Sequence, residues 1–123
     1  MSASILENMV EGLGFGDVAA LVEAGADVNE TDVLGCSAIF LSSEQGNVQV
    51  VTELIAANAN VNQANNDGAT PLHMACQEGH TEIVAKLLAA NANVNQANNH
   101  GDTALIVASY YHCLLYTSPS PRD

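Results

Sequence analysis

Residues 67–95 read DGATPLHMACQEGHTEIVAKLLAANANVN, and the flanking segments repeat much of this pattern. A glycine and an asparagine recur every 33 residues, at Gly35, Gly68, Gly101, Asn29, Asn62 and Asn95. In addition, residues 56–66 and residues 89–99 both read AANANVNQANN. Coincidence does not produce such an identity, whereas tandem duplication does. The chain is therefore organised in units of 33 residues.

The unit at residues 63–95 shows why each unit is expected to form a pair of helices. Gly68 predicts a tight turn, because glycine readily adopts positive φ. Thr70 is placed to cap the next helix, with Pro71 at the first helical position, where a missing N–H costs nothing. After a break at residues 79–80, apolar residues follow a second helical stripe at Ile83, Val84, Leu87 and Leu88. The helix stops fall on residue types that tolerate left-handed backbone: Gly25, Asn58 and Asn91.

In combination, the turn glycine, the Thr-Pro-Leu-His run at residues 70–73, the Gly-His pair at 79–80 and the closing Val-Asn pair at 94–95 resemble the ankyrin repeat. The resemblance covers residues 4–112. It implies an all-α solenoid of antiparallel helix pairs joined by short hairpin-like turns. It divides the chain into an N-terminal capping repeat (1–29), two whole repeats (30–62 and 63–95) and a truncated fourth repeat (96–112).

Two segments depart from the family pattern. Residues 37–40 read SAIF where TPLH is expected, although Ser37 still provides a helix cap. The fourth repeat loses the pattern at His112, where the turn glycine is expected. We therefore expect the native protein to continue past His112 with the second helix of this repeat.

The last residues, 113–123, read CLLYTSPSPRD and have a different character. Back-translated, they spell the transposase adapter of a sequencing library. We interpret this tail as an artefact. We also expect it to be disordered, because Pro119 and Pro121 disfavour helix.

Composition excludes several classes of partner. The chain has 14 Asp and Glu against 2 Lys and Arg, a formal net charge of −12. Such a surface repels nucleic-acid phosphates and anionic membranes. The 3 cysteines form no paired framework, and the sequence shows neither a secretory signal nor an apolar run long enough to span a bilayer. We expect an intracellular monomer, cytoplasmic or nuclear.

No residue pattern indicates catalysis, a cofactor or a metal. His73, Cys76 and His80 lie close enough in sequence to suggest a zinc site. The resemblance instead gives His73 the family's structural role of bonding neighbouring backbone, and Cys76 fills a small core position. The repeated asparagines resemble one that is hydroxylated in some ankyrin proteins, but a structural role in bonding the backbone is favoured for all of them: Asn29, Asn62 and Asn95.

The resemblance implies a protein-binding module that contacts its partner through the turn tips and the first helix of each repeat. Carried onto this chain, the contact positions are Val33, Leu34, Cys36, Glu44, Gln45, Asn66, Asp67, Ala69, Gln77, Glu78, Asn99, His100, Asp102, Tyr110 and Tyr111. Acidic residues at or beside them predict a partner with a basic surface. The alternative is a regulatory segment of an enzyme whose catalytic domain lies beyond residue 112.

Overall fold

In the computed structural model, which describes residues 4–117, the chain is a stack of helices: α1 Ile5–Glu11, α2 Asp17–Glu23, α3 Ala38–Gln45, α4 Val48–Ala56, α5 Pro71–Glu78, α6 Thr81–Ala89 and α7 Ala104–Thr117. The first row contains α1, α3, α5 and α7, each packed on the next, and the second row contains α2, α4 and α6. The predicted all-α stack of helix pairs is confirmed. Within the described residues, no helix is both long and apolar enough to cross a membrane.

Helix starts follow the predicted caps. The Ser37 hydroxyl accepts the Phe40 backbone N–H at 3.3 Å, and the Thr70 hydroxyl accepts the His73 backbone N–H at 3.2 Å. Pro71 occupies the start of α5. The helix stops are also confirmed, because all three predicted residues have positive φ: Gly25 at 100°, Asn58 at 65° and Asn91 at 68°.

The hydrophobic core runs along the stack between the two rows. Leu21, Leu54 and Leu87 occupy equivalent positions in α2, α4 and α6, with 3, 0 and 0 % of their surface exposed. Each contributes to the same continuous cluster of buried side chains. The core therefore extends with each unit instead of closing around one centre, as expected for stacked repeats.

Hydrogen bonds join successive units at the turns. The Asn29 side-chain oxygen accepts the Asn60 N–H at 2.7 Å, and one unit later the Asn62 oxygen accepts the Asn93 N–H at the same distance. These bonds confirm the predicted structural role of the first two repeated asparagines. Asn95 occupies the equivalent position in the next unit, and its side chain is exposed.

The expectation of a disordered tail is wrong for residues 113–117, because α7 continues through them to Thr117. A helix propagates by adding one hydrogen bond per residue, and Cys, Leu and Tyr continue it at small cost. Proline restricts its own position and the residue before it, so Pro119 stops the helix only near Ser118. Residues 118–123 lie outside the described residues, and the artefact interpretation stays a prediction.

Candidate binding groove

A groove of about 580 Å³ runs along the first row of helices. Its walls come from the hairpin tips that precede α3, α5 and α7 and from the exposed face of these helices. The lining residues are Asp32, Leu34, Cys36, Phe40, Leu41, Glu44, Asn65, Asp67, Ala69, Met74, Gln77, Asn98, His100, Asp102, Val107, Tyr110 and Tyr111. The 33-residue period places equivalent positions side by side along it.

Each hairpin tip is held by one side-chain oxygen that accepts two backbone N–H groups. Asn65 Oδ1 accepts the N–H groups of Asp67 and Ala69, both at 3.0 Å. The other tips have the same arrangement around Asp32 Oδ1 and Asn98 Oδ1. Adjacent tips are also bonded to each other through backbone groups. The hairpin wall of the groove is therefore fixed before any partner arrives.

Most of the contact positions predicted from the sequence line this groove: Leu34, Cys36, Glu44, Asp67, Ala69, Gln77, His100, Asp102, Tyr110 and Tyr111. The others lie outside it: Val33, Gln45, Asn66, Glu78 and Asn99. Cys36 has only 5 % of its surface exposed, because it sits under its own hairpin, so it offers little area for contact. Asn66 and Asn99 instead bond neighbouring turns.

Sequence reasoning missed one row of groove residues, namely Leu41, Met74 and Val107. Each lies three residues before a predicted position on the same helix, at Glu44, Gln77 or Tyr110. Residues three apart share a helix face. The spacing alone was enough to include this row, and it makes the floor of the groove apolar.

The groove is acidic. Carboxylates of Asp32, Glu44, Asp67 and Asp102 line it, and no Lys or Arg is among the lining residues. Within the described residues the basic side chain is Lys86, which lines a smaller cavity of about 180 Å³ formed by α4 and α6 in the second row. The groove therefore presents negative charge without a basic neighbour of its own.

The residues once considered for zinc hold the structure together. His73 accepts the Thr70 backbone N–H at Nδ1 (3.0 Å), so its ring N–H is on Nε2, which donates to the Asp102 carbonyl at 2.7 Å. His80 Nε2 lies 3.1 Å from the Glu44 carbonyl. Over the part of the chain that the structure describes, no cluster of His, Cys, Asp or Glu has the arrangement of a metal site.

The two described thiols are poorly suited to nucleophilic chemistry. Burial raises the pKa of the Cys76 thiol above its ordinary value. Burial is also the main cause of the raised pKa of Cys36, and the nearby carboxylates of Asp32 and Glu44 raise it further, against an opposing hydrogen bond from Asn65. Since the thiolate is the reactive form, both groups are held as unreactive thiols at neutral pH.

Comparison with known proteins agrees with the architecture. A family model described as ankyrin repeats (3 copies) matches residues 9–98 and, in an overlapping placement, residues 39–116. The two placements together include every helix from α2 to α7 and all the residues that line the groove. No match was found among curated protein sequences.

Proposed function

Since the chain belongs to the ankyrin repeat family, whose repeats are generally protein-interaction modules, we propose that it is a non-catalytic module that binds a protein with a basic surface through the groove. The observation that carries this proposal is the set of carboxylates that line the groove without a Lys or Arg beside them. A basic partner neutralises this charge. Electrostatic complementarity of this kind mainly raises the association rate and disfavours wrong partners.

The shape of the groove supports a protein partner. It is open along the stack and combines polar hairpin tips with an apolar floor at Leu41, Met74 and Val107. Small-molecule sites are typically concave pockets that enclose most of the ligand. An extended surface with rigid walls is instead suited to a folded partner or a peptide segment. Free thiols at Cys36 and Cys76 fit a reducing compartment for this encounter.

The test uses two variants with the same change in charge. The groove variant combines Glu44→Gln, Asp67→Asn and Asp102→Asn. The control combines Glu7→Gln, Glu11→Gln and Glu23→Gln, which are exposed carboxylates outside the groove. Proteins captured by the unchanged chain are identified, purified and measured for association rate with all three forms.

We expect association with the unchanged chain to slow about tenfold or more between about 50 and about 300 mM sodium chloride, because salt screens charge steering. The groove variant should associate slowly at both salt concentrations, and the control should behave nearly as the unchanged chain does. Equal rates for the groove variant and the control, or rates that do not depend on salt, would contradict the proposal.

A further inference from the structure

The groove differs in chemistry from one end to the other. Glu44, Gln77 and Tyr110 are separated by 33 residues and occupy equivalent positions on α3, α5 and α7. Successive helices thus present a carboxylate, an amide and a phenol to the same groove. A partner lying along the groove meets a different side chain at each step, so the order of its own residues matters.

We call the α3 side the acidic end, defined by Asp32 and Glu44. Both carboxylates are close enough to Cys36 to affect its thiol. Asp32 Oδ1 accepts the N–H groups of Leu34 and Cys36, at 3.0 and 2.8 Å, which fixes the orientation of the carboxylate. Two carboxylates held at one end of the groove match an Arg or Lys side chain, and Arg adds bidentate hydrogen bonding.

We call the α7 side the aromatic end, defined by Tyr110 and Tyr111. These rings have 68 and 57 % of their surface exposed, beside the buried Val107. Tyrosine buries a large area at small cost in side-chain entropy when a partner covers it. An apolar side chain placed here gains contact with both rings and with the apolar floor of the groove.

The distance between the two ends follows from helix packing. Neighbouring helices pack about 8 to 10 Å apart, so α3 and α7, with α5 between them, are separated by about 16 to 20 Å. An extended peptide advances about 3.3 Å per residue. About five or six residues therefore bridge the acidic and aromatic ends. Because a single groove is lined by both ends, one segment can occupy it throughout.

We propose that the groove binds an extended segment of a partner protein that carries Arg or Lys for the acidic end and, about five or six residues away, a bulky apolar residue for the aromatic end. This inference rests on the proposed function and adds a spacing to it. A second copy of this chain is a poor occupant, because it brings the same formal charge of −12 to an acidic groove.

The test uses synthetic peptides titrated into the isotope-labelled protein and followed by nuclear magnetic resonance. The spaced peptide has two arginines and two leucines separated by about five Gly and Ser residues, and it is made in both sequence orders. The adjacent peptide has the same composition with the arginines next to the leucines. A third peptide replaces the leucines of the spaced peptide by serine.

We expect the spaced peptide, in at least one order, to bind about tenfold more tightly than the adjacent peptide, because two linked contacts reinforce each other. Its binding should shift the backbone amide signals at both Glu44 and Tyr110. The serine peptide should shift only the acidic end. Equal affinities for spaced and adjacent peptides in both orders, equal affinity for the serine peptide, or no response along the groove would overturn the inference.

Two variants assign the effect to the two ends. Tyr110→Ser should remove the advantage of the spaced peptide over the adjacent one while binding of arginine continues. Glu44→Gln should weaken every arginine peptide, and Glu78→Gln, which removes a charge just outside the groove, should not. If arginine binds at the acidic end but the spacing has no effect, the inference fails and the proposed function stands. The salt-dependent test with captured partners judges that function separately.

Discussion

Gly68 and Gly101 have almost the same backbone conformation, with φ of 79° and 82°, but different surroundings. A methyl group added at Gly68 would lie 2.9 Å from the backbone nitrogen of Asn99, in the next hairpin tip. The same group added at Gly101 would meet no atom within 4 Å. Close contact between units, in addition to backbone conformation, therefore restricts the residue at Gly68.

Gly68→Ala is expected to lower the free energy of unfolding by about 1 to 3 kcal/mol more than Gly101→Ala. Both substitutions carry the same cost of positive φ, about 1 to 2 kcal/mol, which cancels in the comparison. Only Gly68→Ala also forces two hairpin tips apart. Urea unfolding of both variants measures the difference. Equal losses would mean that the tips separate without cost.

At the residue scale, the sequence predicted local features well. The caps at Ser37 and Thr70 and the positive φ of Asn58 and Asn91 follow from residue type and immediate neighbours, and all are present. The close approach of Gly68 to Asn99 was not predicted, because it depends on how one unit packs against the next. The burial of Cys36 was missed for the same reason.

At the scale of the element, the helices of the second row show how packing stabilises a stack. α6 has nine residues, too few for a stable isolated helix in water, so its stability comes from burying one face. Ile83 and Leu87 on that face are fully buried, while Leu88 remains 44 % exposed. The helical stripe read from the sequence was thus right in position and wider than the face that is buried.

Leu87→Ala is expected to destabilise the protein by about 2 to 5 kcal/mol, because it removes a fully buried side chain and leaves a cavity between neighbouring helices. Glu78→Ala, at an exposed position on α5, should change stability by about 0.5 kcal/mol or less. Thermal unfolding of both variants provides the measurement. Similar melting temperatures would show that the core stripe of α6 is wrongly assigned.

The length of α7 marks another limit of sequence reasoning. The prolines at 119 and 121 suggested a break, but a proline acts on the residues next to it, and the helix reaches Thr117 before that restriction applies. The predicted break at His112 came from the missing turn glycine. A glycine allows a turn but its absence does not start one, since the preceding helix simply continues until something stops it.

At the scale of the whole molecule, charge is the dominant feature outside the core. A formal net charge of −12 on 123 residues means that carboxylates repel one another over the whole surface. Such repulsion destabilises a compact state and maintains solubility. The fold class was predictable here because the 33-residue period repeats the same signals, whereas the depth and order of the groove appear only after the units are stacked.

Added sodium chloride is expected to raise the melting temperature by at least about 4 °C, which corresponds to roughly 1 kcal/mol in a chain of this size. The control variant combines Glu11→Lys, Glu23→Lys and Glu78→Lys, which halves the net charge at exposed positions near helix ends. Its melting temperature should depend less on salt. A melting temperature that is independent of salt in both proteins would exclude a global effect of repulsion.

The identical segments at residues 56–66 and 89–99 also affect how such a chain can evolve. If residues 63–95 were excised, Asn62 would be joined to Gln96 and the junction would again read AANANVNQANN. Asn99 would then take the place of Asn66 against Leu34, in an equivalent hydrogen bond. Recombination between the two copies would leave the local geometry of the join unchanged. Gain or loss of whole units would therefore set the distance between Glu44 and Tyr110 in steps of one unit, and partner choice could change by recombination instead of by point mutation.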